Sequence, residues 1–145
     1  MDRLTDTNII LRLVQLAHPM HAVALNAVTK LLSDGHNLCL IPQNLIEFWN
    51  VATRPADKNG LGRTPAQTEK DLKSLESNFT VLPDSPAIYP EWRRLVVEHS
   101  VIGKQVHDTR LVAAMNVHQI DSLLTFNIGD FTRFRTISII DPAAV

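Results

Sequence analysis

The chain has one cysteine, Cys39, in 145 residues, so no internal disulfide can hold it together. Cys39 stands between Leu38 and Leu40, the setting of a small core residue rather than of a reactive thiol. No apolar run approaches the ~20 residues that span a bilayer. The N-terminus also lacks the apolar stretch of a signal peptide, so a cytoplasmic protein without membrane contact is expected. Neither sign of charge dominates: 14 Lys and Arg stand against 15 Asp and Glu, a net charge of −1. A protein that coats nucleic acid carries a basic footprint, and this chain has none. An enzyme that handles one phosphate through a metal needs none, because the ion supplies positive charge locally. Gly-rich phosphate loops, internal repeats and low-complexity tracts are absent, and no Ser-His-Asp or Cys-His set occurs at recognisable positions.

What remains is 45% hydrophobic and 20% charged, the composition of a globular chain long enough for one core. Apolar runs alternate with helical patterns. Leu4 to Asp6 reads as a short strand, followed by a helical turn from Asn8 through Leu16. His18-Pro19 starts a second helix, with Met20, Val23, Ala24, Ala27, Val28, Leu31 and Leu32 on one face and Gly35 as its stop. Leu38 to Ile41 is the second strand, and Pro42 introduces a helix with Leu45, Ile46 and Trp49. Residues 53–63 contain a proline and two glycines and read as an exposed loop. Thr64-Pro65-Ala66-Gln67 is a capping box whose helix runs to about Ser77. Phe79 to Leu82 is strand three, and Ser85-Pro86 opens a helix bearing Trp92, Leu95, Val96 and His99. A helix from Asp108, a strand from Ser122 to Phe126 and a last strand from Thr136 to Ile140 complete the series. Strands separated by helices predict one α/β domain over residues 1–145, built on a parallel sheet of about five strands.

Four carboxylates fall where an apolar strand gives way to a loop or helix: Asp6, Glu47, Asp108 and Asp130. The carboxyl ends of the strands form the ligand crevice of an open α/β sheet. Acids gathered there repel one another unless a cation neutralises them, so the spacing predicts a hard-metal site. Each acid also has an ordinary reading. Asp6, with Thr7 and Asn8 beside it to orient it, equally suits an N-cap. Glu47 lies between Ile46 and Phe48, either with a partner or facing solvent. Asp108 opens an Ala-rich helix and could be its cap, and His107 before it is a candidate base or simply a backbone-bonded residue. Asp130 could cap a short turn ending at Phe134, whereas Thr125 and Asn127 share a side if the strand persists. Glu69, Asp71 and Glu76 with Lys70 and Lys73 read as a solvated helix face, and Asp141 is the one further acid near the crevice. Candidate phosphate contacts are Arg54, Lys58 and Arg63 in the irregular loop, Arg93, Arg94 and Lys104, and Arg133 with Arg135.

With these segments in order, the chain resembles the PIN-domain nucleases, especially the small VapC toxins of type II toxin–antitoxin modules. The matching stretches are Asp6-Thr7-Asn8, the isolated Glu47, His107-Asp108 with Arg110-Leu111-Val112-Ala113-Ala114, and Leu124-Thr125-Phe126-Asn127 with Asp130-Phe131. The resemblance implies a PIN-like three-layer α/β/α domain and a Mg²⁺- or Mn²⁺-dependent endoribonuclease. It carries over Asp6, Glu47 and Asp108 as an acidic triad, with Asp130 or Asn127 at the fourth position and Asp130 preferred. Thr7, Asn8, Thr125 and Asn127 are supporting groups. It further implies an RNA substrate, a homodimer and a cognate antitoxin that covers the acidic crevice. Thr109 stands where family members commonly have Ala. Two other readings compete: an acid-pocket phosphatase or receiver-like phosphoryl-transfer domain, and a catalytically inert interaction module whose acids are only caps. The first is weakened because Leu4-Thr5-Asp6-Thr7-Asn8 has a single acid where such phosphatases pair two.

Overall fold

Alternation in Leu38-Cys39-Leu40-Ile41 sends successive side chains to opposite faces of a sheet, and the two faces build two cores. Leu38 and Leu40 join one cluster with Ile9, Ile10, Ala24, Ala27 and Phe48. Cys39 and Ile41 join the other with Leu4, Leu111 to Met115 and Leu123. Strands buried on both faces read as continuous apolar runs, as these do.

The computed structural model describes residues 1–145. Its strands are β1 (Asp2–Thr5), β2 (Asn37–Leu40), β3 (Thr80–Val81), β4 (Ser122–Leu124) and β5 (Ser138–Ile140). Its helices are α1 (Thr7–Val14), α2 (His21–Ser33), α3 (Pro42–Thr53), α4 (Pro65–Asn78), α5 (Ile88–Glu98) and α6 (Gln105–His118). The five strands lie in the order β3-β2-β1-β4-β5 and every pair is parallel. Helices α1 to α4 contribute to the core on one side of the sheet, and α5 and α6 to the core on the other. This is the expected three-layer α/β/α arrangement. The chain leaves β1 toward β2 on one side and arrives at β4 on the other, so the order reverses between β1 and β4. A crevice opens at the carboxyl ends of such a pair.

Local boundaries differ from expectation where tertiary contacts decide them. Helix α2 begins at His21 rather than at Pro19, because the His18 ring Nδ1 accepts the Met20 N–H at 3.0 Å and holds a turn there. Leu32, assigned to the packed face of α2, is exposed, while Ala24, Ala27, Val28 and Leu31 are buried. Helix α6 begins at Gln105, so Asp108 lies inside its first turn and does not cap it. Strand β4 stops at Leu124, and Asn127 therefore does not continue the strand on the side of Thr125. The expected loop of residues 53–63 is exposed from Pro55 to Asn59 and is tied back at its end, where Gly60, Leu61, Gly62 and Arg63 donate their N–H groups to the carbonyls of Pro55, Val51, Arg54 and Ala52. The Thr64–Gln67 capping box forms as the motif predicts, with bonds of 3.1 and 2.9 Å.

Candidate active site

Asp6 follows β1 directly, and the sheet positions it: its backbone N–H donates to the Leu124 carbonyl at 2.9 Å, across the β1–β4 crevice. The carboxylate is buried. One oxygen accepts the Thr7 N–H at 2.7 Å, which makes Asp6 the N-cap of α1. The other accepts the Thr125 hydroxyl at 2.7 Å. The Asn8 amide bridges the same pair, 3.3 Å from Thr125 Oγ1 and 3.5 Å from Asp6 Oδ2. Capping and site membership are thus compatible roles of one residue, since each oxygen has two lone-pair directions.

Glu47 enters from α3, which Pro42 starts at its first turn. Asn44 closes that start, its Oδ1 accepting the Ile41 N–H at 2.9 Å and its Nδ2 donating to Thr7 Oγ1 at 3.2 Å. One Glu47 oxygen accepts from Gln43 Nε2 at 2.7 Å and the other from the Thr7 hydroxyl at 3.5 Å. Glu47 therefore does not face bulk solvent alone. Asp108 is half-buried in the first turn of α6. Asp130 is exposed on the short turn Ile128–Asp130 after β4.

The electrostatics bring these four together. Burial pushes the Asp6 carboxyl up to about 6, against the hydrogen bonds from Thr125 and Thr7, and the charges of Glu47 and Asp130 push the same way as burial. Asp108 is pushed up to about 7 by burial first, then by the charges of Asp6, Asp130 and Glu47, with Lys104 opposing. Each of the four is thus near enough to another to be felt as charge. None of the four takes part in a salt bridge; the ion pairs of the molecule involve other carboxylates. The donor set is all oxygen, which suits Mg²⁺ or Mn²⁺ rather than a soft ion. No three acidic, histidine or cysteine groups form a ready-made cage as the side chains stand.

Other candidates are placed elsewhere or already engaged. Arg63 makes a bidentate pair with Asp71, at 2.5 and 2.9 Å, so Asp71 is not part of a merely solvated face. Arg94 is taken up by Glu91 and Glu98. Arg54 is half-buried and Lys58 exposed, and neither is in a salt bridge. Arg133 donates to Gln105 Oε1 at 2.9 Å, at the start of α6. Asp141 caps the terminal turn through the Ala143 N–H at 2.9 Å. His107 is exposed, and its carbonyl accepts from Gln43. Cys39 is buried and its thiol is pushed up to about 11, chiefly by burial, so it is not an active nucleophile. Gln43 and Asn44 escape sequence reasoning that follows charge alone; Gln43 lies four residues before Glu47, a spacing that puts both on one helix face.

The model of the PIN domain matches residues 3–136. The chain belongs to the PIN domain family. No curated protein sequence matches it. Among solved structures it is similar to VapBC2 from Rickettsia felis bound to a DNA fragment from its promoter, with a TM-score of 0.68, 17% identity, and coverage of 97% of this chain and 98% of that one. It is also similar to VapC20 of Mycobacterium tuberculosis, a sarcin-ricin loop cleaving toxin, with a TM-score of 0.64 and 12% identity over 90% and 95% of the two chains. FitAcB from Neisseria gonorrhoeae has a TM-score of 0.65 and 21% identity, with 99% of each chain covered. At these identities the likeness concerns the fold. Within this PIN domain Asp6 lies at the β1–β4 crevice, bonded to Leu124 and Thr125, and Glu47 is bonded to Thr7, the neighbour of Asp6. No helix is long and apolar enough to cross a membrane.

Proposed function

We propose that this PIN domain is a Mg²⁺- or Mn²⁺-dependent endoribonuclease, the toxin of a VapBC-type pair, with residues 1–145 acting as one nuclease unit. The observation that carries the reading is the cluster of four carboxylates, none in a salt bridge, in a fold shared with the toxins of the VapBC and VapC20 structures. Asp6, Glu47, Asp108 and Asp130 are the residues that would hold the ion, with Asp130 favoured over Asn127 because its charge reaches Asp6 and Asp108. A bound divalent ion supplies activation of water and neutralisation of phosphate charge. The chain's own residues do the rest. Thr125 and the Thr7 N–H orient Asp6, which fixes one wall of the crevice to the sheet. Asp108, pushed up to about 7 by burial first and then by the neighbouring acids, has a carboxyl that can exchange a proton at physiological pH. Glu47 and Asp130 are less buried than Asp6, and Glu47 is oriented by Gln43 and Thr7.

RNA as substrate is supported by the VapC20 likeness, and an antitoxin partner by the VapBC structures. Arg54 and Lys58 are the candidate contacts to its backbone; Arg63 contributes less, being committed to Asp71. The homodimer and antitoxin surfaces are proposed on exposed apolar faces such as the groove of about 540 Å³ lined by Leu45, Ile46, Trp49 and Leu72. An aspartyl-phosphate mechanism is disfavoured, because Asp6 is buried and Leu4-Thr5-Asp6-Thr7-Asn8 has a single acid where such phosphatases pair two. The test is cleavage of single-stranded RNA by the purified chain with Mn²⁺. Asp108→Asn is expected to lower the rate at least ~100-fold with melting behaviour retained. Full activity in that variant, or undiminished cleavage by the wild type in excess EDTA, overturns the proposal.

A further inference from the structure

We propose that Gln43 is a positioning residue that joins the acid of α3 to the helix bearing Asp108. The inference rests on the reading of the acidic cluster as a divalent-ion site. Gln43 Nε2 donates to Glu47 Oε1 at 2.7 Å and to the His107 carbonyl at 2.8 Å, while Gln43 Oε1 accepts from Arg110 Nη1 at 3.1 Å. Arg110 in turn donates to Asp84 at 3.2 Å. Both amide hydrogens and the amide oxygen are thus engaged.

The orientation of the amide follows from its neighbours. A carboxylate and a backbone carbonyl only accept, and a guanidinium only donates, so the amide nitrogen must face Glu47 and His107. Reversal would set oxygen against two oxygens. This matters because the two acids belong to different helices, on opposite sides of the sheet. No other side-chain hydrogen bond runs directly between Glu47 and the first turn of α6 through a single residue. A ligand held by its neighbour approaches an ion in one geometry, and partners of this kind typically govern metal affinity by 10–100-fold.

Mn²⁺ binding to the full chain, counted from the electron paramagnetic resonance signal of the free ion, separates the outcomes. Gln43→Met keeps length but removes the donors and the acceptor, and Gln43→Asn keeps the amide one methylene short. Each is expected to weaken Mn²⁺ binding about 10-fold. In a Glu47→Gln background, Gln43→Met is expected to add no further loss, because Gln43 acts through the Glu47 carboxylate. Wild-type affinity in either single variant overturns the proposal, as does an equal loss in the Glu47→Gln background, which would mark a general structural role. If Gln43→Met does not fold, Gln43→Asn decides alone. A wild-type chain that binds no Mn²⁺ overturns the metal-site reading itself and this inference with it, an outcome distinct from a wild type that binds and variants that match it.

Discussion

Asp6 and Asp108 show how one residue type takes different character from its surroundings. Asp6 is buried yet keeps two short hydrogen bonds, whereas Asp108 has no such partner and feels three other acids. The shift of Asp6 from 3.8 to about 6 corresponds to roughly 3 kcal/mol of destabilisation when it is ionised. Both carboxyls hold their protons in the folded chain over a range where the unfolded chain has released them. In the metal-free protein these two groups therefore contribute a loss of stability as pH rises from about 4 toward 7, through the raised values of about 6 and 7. Other carboxylates add their own slopes, so the comparison that isolates Asp108 is between wild type and Asp108→Asn. In metal-free buffer the melting temperature of Asp108→Asn is expected to gain on that of wild type across this window. Millimolar Mg²⁺ should close the gap by favouring the ionised wild-type site. A gap that does not change with pH would mean that the Asp108 carboxyl is not raised in the folded state.

At the scale of elements, the segment between α3 and α4 carries the clearest structural demand. Its N–H groups fold back onto the end of α3, and Gly60 lies against the Arg54 carbonyl. A Cβ placed on Gly60 would stand 1.9 Å from that oxygen, which is backbone and not the yielding end of a flexible side chain. Gly60→Ala is thus expected to destabilise the fold by about 1–3 kcal/mol, read as a lower urea midpoint with an unchanged slope. Gly35→Ala is a useful contrast: there the cost comes from a φ of +87° and no atom lies within 4 Å of the new methyl. The same segment displays Arg54 and Lys58, so its packing bears on substrate contact as well as on stability. Helix α6 shows the opposite kind of demand. Leu111 to Met115 are all buried because α6 is enclosed between the sheet and α5, and an all-round apolar stretch of this sort carries no amphipathic signal. Its start three residues before Asp108 was for that reason illegible from periodicity.

At the scale of the whole molecule, a net charge of −1 leaves RNA affinity to local cations. If Arg54 and Lys58 each touch a phosphate, replacing both by alanine should reduce the slope of log affinity against log salt by about 1.4. An unchanged slope, measured by fluorescence anisotropy on a catalytically silent variant, would assign RNA contact to another set such as Lys104 and Arg133. Much of the architecture could be read along the chain, because short-range physics determines it. Apolar runs flanked by Pro42, Gly35 and the Thr64–Gln67 box mark strands and helices wherever the local pattern is unopposed. The order of β-runs and helices was enough to predict a parallel sheet, and the resemblance to the PIN domains implied helices on both sides; the sheet has that form. The acids could be nominated in the same way, since a charge among apolar neighbours at a strand end is conspicuous. Their partners could not. Thr125 meets Asp6 across 119 positions of sequence, and Gln43 meets the His107 carbonyl across 64. Such pairings exist only once the β1–β4 crevice has closed and α3 and α6 have been placed. Sequence alone thus determined which groups carry charge and which segments seek burial. The tertiary structure decided which charges must share a space and which neutral side chains hold them there, because repulsion and hydrogen bonding depend on distance in space and not on separation along the chain.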